Sequence, residues 1–147
     1  MGILLAIAVP SFQEVTLNSK LDSVSSRFVA SANLARSEAI KRNAQVTLCT
    51  PSSATGSSCA GTSSGGWGTG WIILAGGNPI ARESSPPEGF VLNGTQTLVF
   101  QPSGVGTTVA SLTVCRSAPS VGAYKRTIDI NVTGRINVTK DSTTSCP

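Results

Sequence analysis

The sequence predicts an α+β fold: a long N-terminal helix packed on an antiparallel β-sheet head that closes with a C-terminal hairpin. Three observations predict it. Apolar residues recur at intervals of three and four between Phe12 and Ala39, the signature of one helical face. Beyond Asn43 that period gives way to short runs rich in β-branched residues and punctuated by Gly, Pro, Asn and Ser. Finally, four cysteines stand in a chain of which only 12% is charged, a balance suited to an oxidising compartment and an envelope or secreted β-rich protein. A chain of 147 residues buries about two thirds of the surface its unfolded form exposes, so one structural domain is expected, with 1–43 as helix and 44–147 as β-rich head.

The helical region opens on Gly2–Val9, GILLAIAV, which carries no charge and is far shorter than the roughly 20 residues needed to span a bilayer. The run breaks at Pro10 and passes directly into a helical pattern, without the basic leader and small-residue cleavage site of a signal peptide. Leu17, Leu21, Val24, Phe28, Ala32, Ala35 and Ala39 form the packing face of that helix. Asn18, Lys20, Ser25, Arg36 and Arg42 lie on the side expected to meet water, and the helix is expected to end near Asn43.

Strands are expected at Gln45–Thr50, Trp71–Ala75, Gly89–Asn93, Thr97–Gln101, Ala110–Cys115, Arg126–Val132 and Arg135–Thr139. The Ser/Thr/Gly-rich stretch from Pro51 to Gly70 reads as an ordered loop, because Cys59, Trp67 and Trp71 pin it. The two tryptophans sit among Gly66, Gly68 and Gly70 and are expected to pack beneath that loop rather than form a stacking platform for bases or sugars. Thr133 and Gly134 fit the turn of a final hairpin, where glycine accepts a positive φ.

Four cysteines allow three pairings. The favoured one joins Cys49 to Cys59 around the Ser/Thr/Gly loop and Cys115 to Cys146, tying the tail to an internal strand. The chain contains no His, which removes the usual general base and the commonest metal ligand. Neither Gly-x-Ser-x-Gly nor Ser-x-x-Lys occurs, and carboxylates are scarce, so no catalytic residue, metal or cofactor is expected. The net charge is +4, and its excess is partly C-terminal: from Gly104 onward Arg116, Lys125, Arg126, Arg135 and Lys140 stand against Asp129 and Asp141. That distribution is compatible with a polyanionic partner, or with ordinary solvated surface charge.

The segment GILLAIAVPSF at Gly2–Phe12, followed by LARSEAIKRN at Leu34–Asn43, resembles type IV pilins and type II secretion pseudopilins. More narrowly it is similar to the FimT/FimU minor pilin and GspH pseudopilin group. The likeness continues through VTLC at Val46–Cys49, the second cysteine at Cys59, GWGTGW at Gly66–Trp71, F-x-P-x-G at Phe100–Gly104, TGR at Thr133–Arg135 and the terminal Cys146-Pro147. Family precursors carry a short basic leader, a Gly at the peptidase site and a mature start Phe-Thr-Leu-Ile-Glu, none of which occurs before Gly2. The resemblance implies a type IV pilin-like fold. Its helix, in full length, would anchor the subunit in the inner membrane and later pack with other pilins in the filament core, so the expected location is the cell envelope and then the pilus.

Some FimT proteins bind DNA for natural transformation through a G-R-x-R motif near the C-terminus. Here the motif reads Gly134, Arg135, Ile136, Asn137, with an uncharged Asn in place of the second Arg. The resemblance therefore implies double-stranded DNA as a partner, with Arg135, Asn137, Lys140, Arg126, Lys125 and Arg116 as candidate DNA-binding residues. On a strand, Lys125 and Arg126 point to opposite faces, so both serve one patch only if the strand is bulged. Two readings compete with this one: a GspH-like pseudopilin of type II secretion without DNA binding, and a free secreted β-rich module.

Overall fold

The structure, a computed structural model, describes residues 3–61, 66–106, 109–117, 124–141 and 146, with side chains from Glu14 onward. Among the described residues one α-helix, α1 (Ile3–Arg42), precedes eight strands, all paired antiparallel. The helix is continuous through Pro10, where the sequence suggested a break. Proline removes the backbone hydrogen bond that residue 10 would donate four residues back, which weakens the first turns without ending the helix here.

At its other end α1 stops as the sequence predicts. Asn43 adopts φ 49°, and the amide of Ala44 donates to the Ala39 carbonyl at 3.2 Å while that of Asn43 donates to Ile40 at 3.3 Å. This is a Schellman cap, with Asn taking the left-handed position that glycine more often fills.

The first sheet has the order β3-β2-β1-β5, built from β1 (Val46–Cys49), β2 (Trp71–Ala75), β3 (Asn78–Glu83) and β5 (Thr97–Phe100). The second has the order β4-β6-β7-β8, from β4 (Phe90–Gly94), β6 (Ala110–Arg116), β7 (Lys125–Ile130) and β8 (Ile136–Asp141). Strand β3 is absent from the sequence reading. Its Pro79 argues against a strand, but β3 is an edge, where a missing amide costs no ladder bond. The visible signal was Gly76-Gly77 directly after β2, both at positive φ (57° and 81°), a two-residue hairpin turn.

The last hairpin is shifted from its expected bounds. Asn131 and Arg135 close the turn themselves, the Asn131 amide donating to the Arg135 carbonyl at 3.1 Å, so β7 ends at Ile130 and β8 begins at Ile136.

The helix packs on β1, β2 and β5 of the first sheet and on β6 and β7 of the second. Leu21, Val24, Phe28, Ala32, Ala35 and Ala39 are fully buried there, every third or fourth residue as the pattern required. Phe28 meets Trp67 and Trp71 edge-on at centroid distances of 5.1 and 5.4 Å, and both tryptophans are buried, with Trp71 Nε1 donating to Ser31 Oγ at 2.9 Å. They are core, and offer no stacking platform.

Both disulfides form as favoured: Cys49–Cys59 and Cys115–Cys146, with Cα separations of 5.7 and 5.6 Å. The first covers Ile72 and Leu74 on the face of β2 turned away from the helix. Arg82 of β3 holds the disulfide loop by donating to the carbonyls of Ala54, at 2.9 Å, and Gly56.

Candidate functional site: the C-terminal hairpin and the helix behind it

Pleating sorts the hairpin side chains into two sets. Arg126 opposes Lys140, Ile128 opposes Val138 and Ile130 opposes Ile136 on the face toward the helix. Lys125 opposes Asp141, Thr127 opposes Thr139 and Asp129 opposes Asn137 on the outer face. The five candidate cations and one amide of the sequence are therefore divided between two faces and along the length of the sheet.

Arg126 lies inside. Only 3% of its surface is exposed; its Nε donates to Asp22 Oδ1 at 2.7 Å and its Nη2 to Asn18 Oδ1 at 3.3 Å, both on α1. The position was drawn from charge alone, whereas the alternation that buries Ile128 and Ile130 also turns residue 126 inward, where a helix carboxylate compensates its charge. It belongs to the helix–sheet contact and not to a surface patch. Lys140 stays exposed, with its Nζ 3.7 Å from the second oxygen of Asp22.

On the outer face Lys125 Nζ pairs with Asp141 Oδ2 at 3.1 Å, and Asn137 sits across from Asp129, which accepts a hydrogen bond from Ser111 at 2.7 Å. Arg116 stands at the far end of β6, about 20 Å of strand from the hairpin tip, with its guanidinium 5.9 Å from the centre of the Phe90 ring.

Arg135 is different. It is exposed at the tip, and its guanidinium makes no ion pair among the described residues. The local pairing with Asp129 or Asp141 that would neutralise it does not form. The tip around it is ordered by its own sequence: Asn131 Oδ1 accepts from Thr133 Oγ1 at 2.7 Å and from the Arg135 amide at 2.9 Å, and Gly134 turns at φ 75°.

Sequence reasoning misplaced two helix residues: Ser25, which is buried with its Oγ donating to the Leu21 carbonyl at 2.8 Å, and Arg36. Expected on the wet side of the helix, Arg36 is half-buried and points into the head. Its Nε donates to the Gly104 carbonyl at 2.8 Å, its Nη2 to Thr133 at 3.3 Å and its Nη1 to Gly134 at 3.4 Å. The glycines of the F-x-P-x-G and TGR landmarks thus meet at one side chain. The partners lie 68 to 98 residues away in sequence, a separation that no local pattern reports.

Asp22 is held below the usual carboxylate range chiefly by the hydrogen bond from Arg126; burial opposes this in part, and the nearby charges of Arg126 and Lys140 add smaller lowering effects. Among the described residues no group of three or more potential metal ligands gathers, and no helix is long and apolar enough to cross a membrane.

The chain resembles solved structures across most of its length. The type IV minor pilin FimU of Pseudomonas aeruginosa superposes with a TM-score of 0.64 at 20% identity, covering 85% of this chain and 92% of that one. A second crystal form of FimU gives 0.61 at 21%, covering 81% and 92%. The minor pseudopilin EpsH from the type 2 secretion system of Vibrio cholerae gives 0.59 at 12%, covering 82% and 96%. At these identities the likeness establishes the pilin fold. No curated protein sequence matches the chain. The profile of the family described as "Type II transport protein GspH" matches residues 25–134, from the packed half of the helix to the glycine before Arg135. A match over well more than half of the chain settles the family: this protein, with its pilin fold, belongs to the family described as Type II transport protein GspH.

Proposed function

We propose that this chain is a minor pilin of a type IV pilus that contributes to filament assembly and touches DNA weakly and without sequence preference during natural transformation. The observation that carries the DNA reading is Arg135, a cation exposed at the tip of an ordered hairpin and without an ion pair among the described residues. A phosphate backbone needs only cations with reach. Lys140 supplies a second exposed cation, and Asn137 an uncharged donor beside the tip. In full length, the helix preceding the head would hold the subunit in the inner membrane before it joins other pilins.

Two cations give a shallow salt dependence. The logarithm of the affinity for duplex DNA should fall against the logarithm of salt concentration with a slope of roughly −0.9 to −1.8. A fluorescence-anisotropy titration at several salt concentrations measures it. Arg135→Ala should flatten the slope by about 0.9, while Lys140→Ala, whose cation already leans on Asp22, should do less. No binding by the unmodified protein at low salt would sink the DNA reading.

The same ion pairs favour a second reading. With Arg126 buried against Asp22 and Lys125 on Asp141, two cations of the DNA set are already spent. A pseudopilin of a type II secretion system, contacting protein rather than DNA, would need none of them, and absence of DNA binding is its expected result.

A further inference from the structure

Arg36 is a cation with no carboxylate partner among the described residues, held by three backbone carbonyls from two separate turns. One turn is Gln101–Gly104, closed by the Gly104 amide donating to the Gln101 carbonyl at 2.8 Å. The other is Asn131–Arg135, closed by the Gly134 amide donating to the Asn131 carbonyl at 2.8 Å. The Gly106 amide links the two by donating to the Val132 carbonyl at 3.0 Å.

Gly134 has no room for a side chain, and one on Gly104 would have to push aside the exposed Ile40 side chain. A Cβ on Gly134 would stand 2.6 Å from the Gly104 carbonyl oxygen and 3.1 Å from Arg36 Nε, and one on Gly104 would stand 2.9 Å from Ile40 Cδ1. Both also sit at positive φ, 77° and 75°. Only a planar fork of donors on a rigid helix satisfies three carbonyls converging at this spacing; the ammonium of a lysine is a single point.

We propose that Arg36 is a positioning residue: by locking the Gln101–Gly104 and Asn131–Arg135 turns to the end of α1 it makes one rigid tip and aims Arg135 outward at its polyanionic partner. The consequence for binding rests on the DNA reading above, whereas the locking does not. A tip held in one conformation loses less freedom when Arg135 meets a phosphate, so binding depends on a side chain that never touches the ligand. Arg36 also brings a cation beneath the tip, so its charge and its fork must be separated experimentally.

Two variants do so. Arg36→Lys preserves the charge and loses the fork; Arg36→Gln loses both. Amide hydrogen exchange, read residue by residue in each variant whose β6–β7 amides stay protected, tests the locking. Exchange at Gly106 and Gly134 should rise about tenfold in both variants, the change expected from losing one charge-assisted hydrogen bond. Unchanged exchange at these two amides overturns the proposal.

DNA titration then tests the aiming. Arg36→Lys should weaken binding about as much as Arg135→Ala, and the double variant should lose little more than either alone, because both act on one contact. Full affinity in Arg36→Lys with a loosened tip would show that charge alone matters and overturn the aiming. If the unmodified protein binds no DNA, the proposed function fails by itself, and the exchange measurement still decides whether Arg36 locks the tip.

Discussion

Asp22 stands between two cations, accepting from Arg126 Nε at 2.7 Å and lying 3.7 Å from Lys140 Nζ. Its partner is almost wholly buried, so removing the carboxylate leaves an uncompensated charge beneath the helix. The carboxylate itself is 46% exposed, and water screens part of the pair. Asp22→Asn should therefore cost about 1–2 kcal/mol, toward the low end for a hydrogen bond to a charged group, read as a lowered urea midpoint at unchanged slope. The sign of the pH dependence follows from the direction of the shift. The folded carboxyl sits below its ordinary value of 3.8, so its stabilisation is complete above that value and is lost as the pH falls through the lower folded one. Thermal melts through this acid window should show a drop in the native protein that is smaller in Asp22→Asn; equal drops would mean that other carboxylates carry the acid sensitivity.

At the scale of elements, two glycines of the first sheet separate backbone cost from crowding. Gly77 lies in the β2–β3 turn at φ 81° with nothing within 4 Å of where a Cβ would sit. Gly70 lies just before β2 at φ 87°, where a Cβ would collide with the Glu83 carbonyl oxygen on the neighbouring edge strand. Gly77→Ala should thus cost about 1 kcal/mol, the strain of a left-handed alanine. Gly70→Ala should cost distinctly more, since a backbone carbonyl cannot step aside without unzipping β3. Denaturant midpoints of the two variants test the order, and equal costs would refute the crowding argument. The same elements explain which parts of the fold were legible. The period of Leu21, Val24, Phe28, Ala32, Ala35 and Ala39 is a local property, and all six are buried, although Leu17 is only partly covered and Ser25, expected in water, joins them. Strand β3 was missed because Pro79 reads as a breaker in isolation and is harmless only on an edge, and whether a strand is an edge depends on the order of the sheet.

Across the whole molecule, helix and sheets are bound by contacts distant in sequence, and the disulfides reinforce that closure. Cys115–Cys146 spans 31 residues and encloses the entire β7–β8 hairpin, whereas Cys49–Cys59 spans 10. Chain entropy assigns about 3.7 kcal/mol to the longer loop and about 2.8 to the shorter. Replacing Cys115 and Cys146 together by Ser should therefore lower the denaturation midpoint more than replacing Cys49 and Cys59, and calorimetry of the two double variants measures it; the reverse order would place the weight on the loop packed over Ile72 and Leu74 instead. By itself the sequence determined the helix and its buried face, most of the strands, the favoured cysteine pairing and, through its motifs, the pilin family, because periodicity and local motifs are written within a few turns of chain. It also marked Arg135 at the head of a G-R-x-N motif. Only the tertiary structure decided that Arg126 faces Asp22, that Lys125 pairs with Asp141, and that Arg36 fastens the tip from 98 residues away. The reason is physical: a charge has the same letter whether it meets water, a carboxylate or a carbonyl, and only the packing of helix on sheet selects among them.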